Sequence, residues 1–119
     1  MPIETFERDS GRLISSDKVD GTAVYSNGNE KVGSIKCVMI DKTSGHVSYA
    51  VLSFGGFLGI GENLYPLPWN ILKYDTKLGG YKTGLSADRL KGAPKYGESE
   101  MIWDWSDPAK GKMVDDYYA

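Results

Sequence analysis

Turn signals cut this chain into pieces too short for ordinary helices. Asp20-Gly21, Asn27-Gly28 and Lys42-Thr43-Ser44-Gly45 each offer a tight reversal. Between and after them run Thr22–Tyr25, Val32–Asp41 and His46–Phe54, rich in β-branched and aromatic residues. Leu64–Leu67, Lys73-Tyr74 and Tyr81–Leu85 read as further short strands. Pro68–Leu72 predicts one helical turn, Ser15-Ser16-Asp17 caps another, and Ser86 caps a third. In Val32–Asp41, the alternation puts Ile35, Cys37 and Met39 on one face, with Val38 and Ile40 opposite. Five or six short strands with no long helical period predict an all-β fold, a small barrel or sandwich. A closed barrel is the favoured form, because closure removes the exposed edges of short apolar strands.

The segment from Ser53 to Pro68 is unusual for a connection. Phe57, Leu58 and Ile60 stand among Gly55, Gly56, Gly59 and Gly61, so a pliable backbone carries large apolar groups. An ordinary solvated loop would be polar there. These side chains must cover a core, meet a partner or close over a ligand. The chain holds fifteen glycines in 119 residues, well above the usual share of roughly 7%. They follow no fixed period, which argues for many tight turns.

Composition divides the chain into an N-terminal extension (1–12), a barrel (13–96) and a C-terminal tail (97–119). The first 96 residues hold twelve Lys and Arg against ten Asp and Glu. The tail holds two lysines against six acids, yet carries Trp103, Trp105, Tyr117 and Tyr118. Disordered tails are poor in aromatics, so this one is expected to dock, on its own barrel or on a neighbouring subunit.

A net charge of −2 and a pI near 5.3 give no general attraction to phosphate backbones. Cys37 is the single cysteine, which permits no internal disulfide and fits a reducing compartment. The charged N-terminus lacks a hydrophobic signal core, and no run approaches the roughly 20 apolar residues of a membrane helix. The expectation is a soluble cytoplasmic protein.

Chemistry-bearing residues are sparse. His46 is the only histidine, at a strand start with no evident nucleophile or orienting group beside it. Cys37 reads as a small packing residue. Gly56-x-x-x-x-Gly61 has the spacing of a phosphate loop, but Glu62-Asn63 replaces the Lys-Ser/Thr that must follow. Asp115-Asp116, with Glu98 or Glu100, reads as a solvated acidic end, because hard cations need several converging oxygens.

Linked blocks then carry a family resemblance. Asp20-Gly21-x-x-Val24-Tyr25, Lys31-Val32-Gly33-Ser34-Ile35 and Met39-Ile40-Asp41-Lys42-x-Ser44-Gly45-x-Val47-x-Tyr49-Ala50-Val51 resemble the PRC-barrel domain. Leu52–Glu62 and Tyr65-Pro66-Leu67-Pro68-Trp69 resemble its stand-alone bacterial branch, as does the ending Val114–Tyr118. The match runs from about Leu13 to Tyr96. The resemblance implies a barrel of about six strands. Its relatives include the cytoplasmic part of the photosynthetic reaction-centre H subunit and a ribosome-maturation factor, both with assembly roles. It transfers no catalytic residues.

The functional expectation is a non-catalytic interaction module with no cofactor or metal, self-associating (as a homodimer) and binding a protein partner. Phe57, Leu58, Ile60, Trp69, Trp103, Trp105, Tyr117 and Tyr118 are the expected contact residues. The alternative is an RNA- or ribosome-associated factor, for which Lys73, Lys77, Lys82, Lys91 and Lys95 could form a modest basic patch. A peripheral subunit of a membrane complex is a further alternative. An enzyme is the least supported reading.

Overall fold

A computed structural model describes residues 9–10, 12–54, 63–97 and 103–119. Its strands are β1 (Asp9–Ser10), β2 (Leu13–Ile14), β3 (Ala23–Tyr25), β4 (Lys31–Ile40), β5 (Val47–Phe54), β6 (Asn63–Pro68), β7 (Lys73–Asp75), β8 (Gly80–Lys82) and β9 (Tyr96–Gly97). Three helices accompany them: α1 (Ser16–Val19), α2 (Ala87–Lys91) and α3 (Pro108–Tyr118). A 3-10 turn, Trp69–Ile71, follows β6 where one helical turn was expected after Pro68. β1 and β2 form a separate antiparallel ribbon. The other strands form one sheet in the order β7-β8-β3-β4-β5-β6-β9, antiparallel except for the β3–β8 pair.

The sheet is mixed, and among the described residues β7 and β9 do not pair to close it. The predicted all-β barrel architecture therefore stands in its partly open form, and the preference for closure is corrected. Six strands of three residues or more build it, with β9 as a two-residue edge. Pro66 and Pro68 lie in the part of β6 beyond its short pairing with β9. Proline is tolerated at such an edge because a missing N–H there breaks no outer ladder bond.

Local chemistry explains the turns. Asp41 Oδ1 accepts the backbone N–H of Thr43 and of Ser44, and Gly45 supplies a φ of 81°. At Asn27-Gly28 the left-handed residue is instead Asn29, with a φ of 64°. Asn tolerates that conformation, so the reversal moves one residue along the chain. Ser86 caps α2 as expected, its Oγ accepting the N–H of Arg89 at 3.1 Å.

The core lies on one face of the sheet: Val24, Ile35, Ala50, Leu52, Tyr65, Leu67 and Tyr81, plugged by Leu90 of α2. The expected common face of Ile35, Cys37 and Met39 does not form. The β4–β5 register slips between Ile35 and Cys37, which leaves Lys36 as the extra residue. That bulge reverses the alternation, so Val38 rather than Cys37 packs on the core beyond it. A second slip between Met39 and Ile40 bends the strand again and leaves Ile40 exposed. Bulges of this kind curl a sheet toward a barrel without closing it.

Candidate interaction surface

Val51 alternates with Ala50 and Leu52, so it faces away from the core, yet it is only 1% exposed. The tail is what covers that face. Trp103 packs against Tyr96 with ring centres 5.5 Å apart, and against Trp105 at 6.3 Å. Trp105 in turn meets Tyr49 of β5 at 5.5 Å. Lys110 Nζ lies 5.0 Å above the Trp103 ring.

The sequence reading left residues 97–119 without regular structure beyond docking. α3 is the part it missed. Asp107 caps the helix by accepting the Ala109 N–H at 2.9 Å, and Pro108 opens it at the position proline prefers. Val114 is then buried, and Tyr117 and Tyr118, three and four residues on, pack against the sheet core.

Arg89 fastens the far end of α3 to α2. Its Nη2 donates to the Tyr117 carbonyl at 2.5 Å, and its guanidinium lies 4.3 Å from the Tyr117 ring centre. The Tyr117 hydroxyl donates back to the Arg89 carbonyl at 2.6 Å. α3 has no basic residue in its own last turn. Arg89 therefore supplies, from another element, the positive charge that a helix C-terminus favours.

The tail is thus docked in cis. Of the eight expected contact residues, Trp103 is fully buried, while Trp69, Trp105, Tyr117 and Tyr118 are half-buried. Trp69 packs on Tyr81 at 5.2 Å and touches the core. Trp69 and Tyr118 share one groove with Tyr49, Tyr117 packs edge-on against Tyr118, and Trp105 joins through Tyr49 with Trp103 behind it. Phe57, Leu58 and Ile60 lie outside the described residues. Tyr49, Tyr96, Arg89 and Asp115 are the docking residues that sequence reasoning missed. Asp107-Pro108, followed by Val114, Tyr117 and Tyr118, was the one available signal for the helix.

The electrostatics follow from burial. The Tyr49 hydroxyl donates to Asp115 Oδ1 at 2.9 Å. Burial, then that hydrogen bond and the Asp115 charge, push its pKa up to about 12. Burial chiefly raises Tyr118 as well, with a smaller contribution from Tyr117. Burial also raises Cys37, and Asp20 adds to it, which favours the protonated thiol over the thiolate. His46 is exposed just ahead of β5. Among the described residues, no three His, Cys, Asp or Glu side chains converge as a metal site.

These shifts predict an alkaline weakness. A phenol raised in the folded state contributes stability that is whole below its unfolded pKa of ~10 and lost as pH climbs through the folded value. The tyrosine contribution is therefore expected to stay whole to about pH 10 and to be lost progressively from there toward the folded Tyr49 value near 12. Denaturant titrations at stepped pH, with tyrosinate absorbance followed in parallel, measure this. Tyr49→Phe should flatten part of the slope; an unchanged slope would contradict the assignment to Tyr49.

Between the start of β5, the Trp69–Ile71 turn and the last turn of α3 lies an open groove of about 550 Å3. Tyr49, Trp69, Asn70, Asp115 and Tyr118 line it. No described helix is long and apolar enough to cross a membrane. No curated protein matches the chain. A family model for the PRC-barrel domain does match, over residues 12–83, which is more than half the chain and takes in β2 through β8. With this sheet order and this match, the chain belongs to the PRC-barrel domain family.

Proposed function

We propose that this chain is a non-catalytic interaction module that self-associates and binds a protein partner through the loop between β5 and β6. The carrying observation is how that loop is mounted. Eight residues join the two strands, three of them large and apolar, and the Phe54–Asn63 pair pins their two ends at one end of the sheet. Three large apolar groups on so short a connection are typical of a contact site. The tail rings support this division of labour, since the chain itself already holds them.

Light scattering on the eluting protein, with affinity capture from the native cell, tests the proposal. Wild type is expected to elute as a dimer and to recover a partner. Phe57→Asp should lose both, while the unfolding free energy of its monomer stays within about 0.5 kcal/mol of the wild-type monomer compared at low protein concentration, as for a surface site. A monomeric wild type that recovers nothing would overturn the reading.

One arrangement favours RNA as a second reading. Lys73 and Lys82 stand directly opposite each other on β7 and β8, beside Tyr74, which is 41% exposed. Like charges in that register repel unless an anion bridges them, and an exposed ring can stack on a base. Salt-sensitive ribosome co-sedimentation, lost in Lys73→Glu, is the result that would move the assignment to RNA.

A further inference from the structure

We propose that the groove between β5, the Trp69–Ile71 turn and the end of α3 receives an arginine side chain of a protein partner. This rests on the adaptor reading above and adds a recognition chemistry to it.

The groove's volume, about 550 Å3, falls within the span of sites that hold small ligands or single side chains. Its walls combine flat aromatic surface with one carboxylate: Trp69, Tyr118 and the edge of Tyr49 beside Asp115. Asp115 Oδ1 is taken by the Tyr49 hydroxyl. Among the described residues no cation pairs with Asp115, and the neighbouring charges are accounted for. Lys112 is bound to Asp116 at 2.8 Å, Arg89 to the Tyr117 carbonyl and ring, and Lys110 lies over Trp103. His46 is exposed one residue ahead of Val47, at the groove's rim.

Arg89 already meets the negative pole at the end of α3 through the Tyr117 carbonyl, so the Asp115 carboxylate is the charge that the groove offers. An anion would meet Asp115, and an apolar group would leave the carboxylate unused. A guanidinium suits all of these features: it is planar enough to stack on Trp69 or Tyr118, and its fork matches a carboxylate.

Acetyl-Gly-Arg-Gly-amide is the probe, titrated into the 15N-labelled full chain by heteronuclear NMR. Saturable shifts are expected at the Trp69 indole N–H and at the amides of Ser48, Asp115 and Tyr118, with a Kd on the order of 1–10 mM for so small a ligand. Acetyl-Gly-Glu-Gly-amide should produce none. Asp115→Asn keeps the size and the acceptor for Tyr49 but removes the charge, and should weaken binding about tenfold. Ser48→Lys, at an exposed wall position, places a competing cation at the mouth and should weaken it similarly; the same spectra report that each variant is folded.

Equal affinity in Asp115→Asn, equal response to the glutamate peptide, or shifts centred elsewhere would each overturn the groove assignment. Capture separates the two ideas. A partner lost on Phe57→Asp but retained by Asp115→Asn sinks the groove and keeps the adaptor. Arginine binding that depends on Asp115, in a chain that recovers no partner, keeps the groove's chemistry and sinks the adaptor.

Discussion

Trp103→Ala is expected to destabilise the isolated monomer by about 3–5 kcal/mol, the cost of removing a buried tryptophan from a site that cannot collapse around the void. Trp103 is 5% exposed within a single chain. Its ring is held between Tyr96 and Trp105, with Lys110 above it. Removing it strips cover from the Val51 face of β5 and loosens Trp105 from Tyr49. Urea unfolding followed by circular dichroism measures the loss. Measured in the Phe57→Asp background, where self-association is expected to be lost, the midpoint should not depend on protein concentration, because no second copy is needed to bury the ring. A cost below about 1 kcal/mol, or a midpoint that rises with concentration, would show that the tail is sheltered by a partner instead.

That distinction decides where an interaction surface can lie. Aromatics in a tail are as compatible with docking in trans as in cis from sequence alone. The Arg89–Tyr117 clasp and the Tyr49–Asp115 hydrogen bond tie α3 to two other elements of its own chain. Five of the eight residues first expected to meet a partner thus have intramolecular work. On the proposed reading, partners are left the β5–β6 loop and the groove that Trp69 and Tyr118 help to wall.

Several features governed by neighbouring residues were legible in the sequence, though Ser15 does not cap α1 and the Asn27-Gly28 reversal moved to Asn29; those set by distant residues were not. The Asp41-to-Gly45 reversal and the Ser86 cap depend on hydrogen bonds within a few residues, and both form as read. The bulge at Lys36 was invisible because Ile35, Cys37, Val38, Met39 and Ile40 are all apolar. A run with no polar face cannot fix the phase of its own alternation. The parallel β3–β8 pairing joins segments more than fifty residues apart, with no local signal at either. Pro66 and Pro68 mark an edge and could have signalled the open sheet, but the sequence reading did not use them that way. α3 escaped because Gly111 and a run of polar residues dilute its apolar face to little more than Val114, Tyr117 and Tyr118. Of the groove, Trp69 and Tyr118 were singled out from sequence as contact residues, and Asp115 only as part of a solvated acidic end. Asp115 joins them through the placement of α3, which no local pattern gives.

The second large effect is expected at Gly33. Gly33→Ala should cost about 3 kcal/mol or more and lower soluble yield, the range for overpacking where the obstacle is backbone. A Cβ there would drive into the Ser53 carbonyl oxygen and come within 3.0 Å of Leu52 Cδ1. Ser53 is paired with Ser34 in the β4–β5 ladder, so its carbonyl cannot retreat without breaking that pairing. Val24 stands opposite Gly33 on β3, fully buried, so the strand cannot shift that way either. Gly33 is thus required by the tight coiling of the sheet at mid-strand, where no turn announces it. Gly84→Ala is the matched control: nothing lies within 4 Å of its added Cβ, its φ is not positive, and its cost should be near zero or slightly favourable. Thermal unfolding of the pair measures the difference. If the two variants melt within a degree or two of each other (about 0.5 kcal/mol at this chain length), the close β4–β5 approach that coils the sheet is wrong.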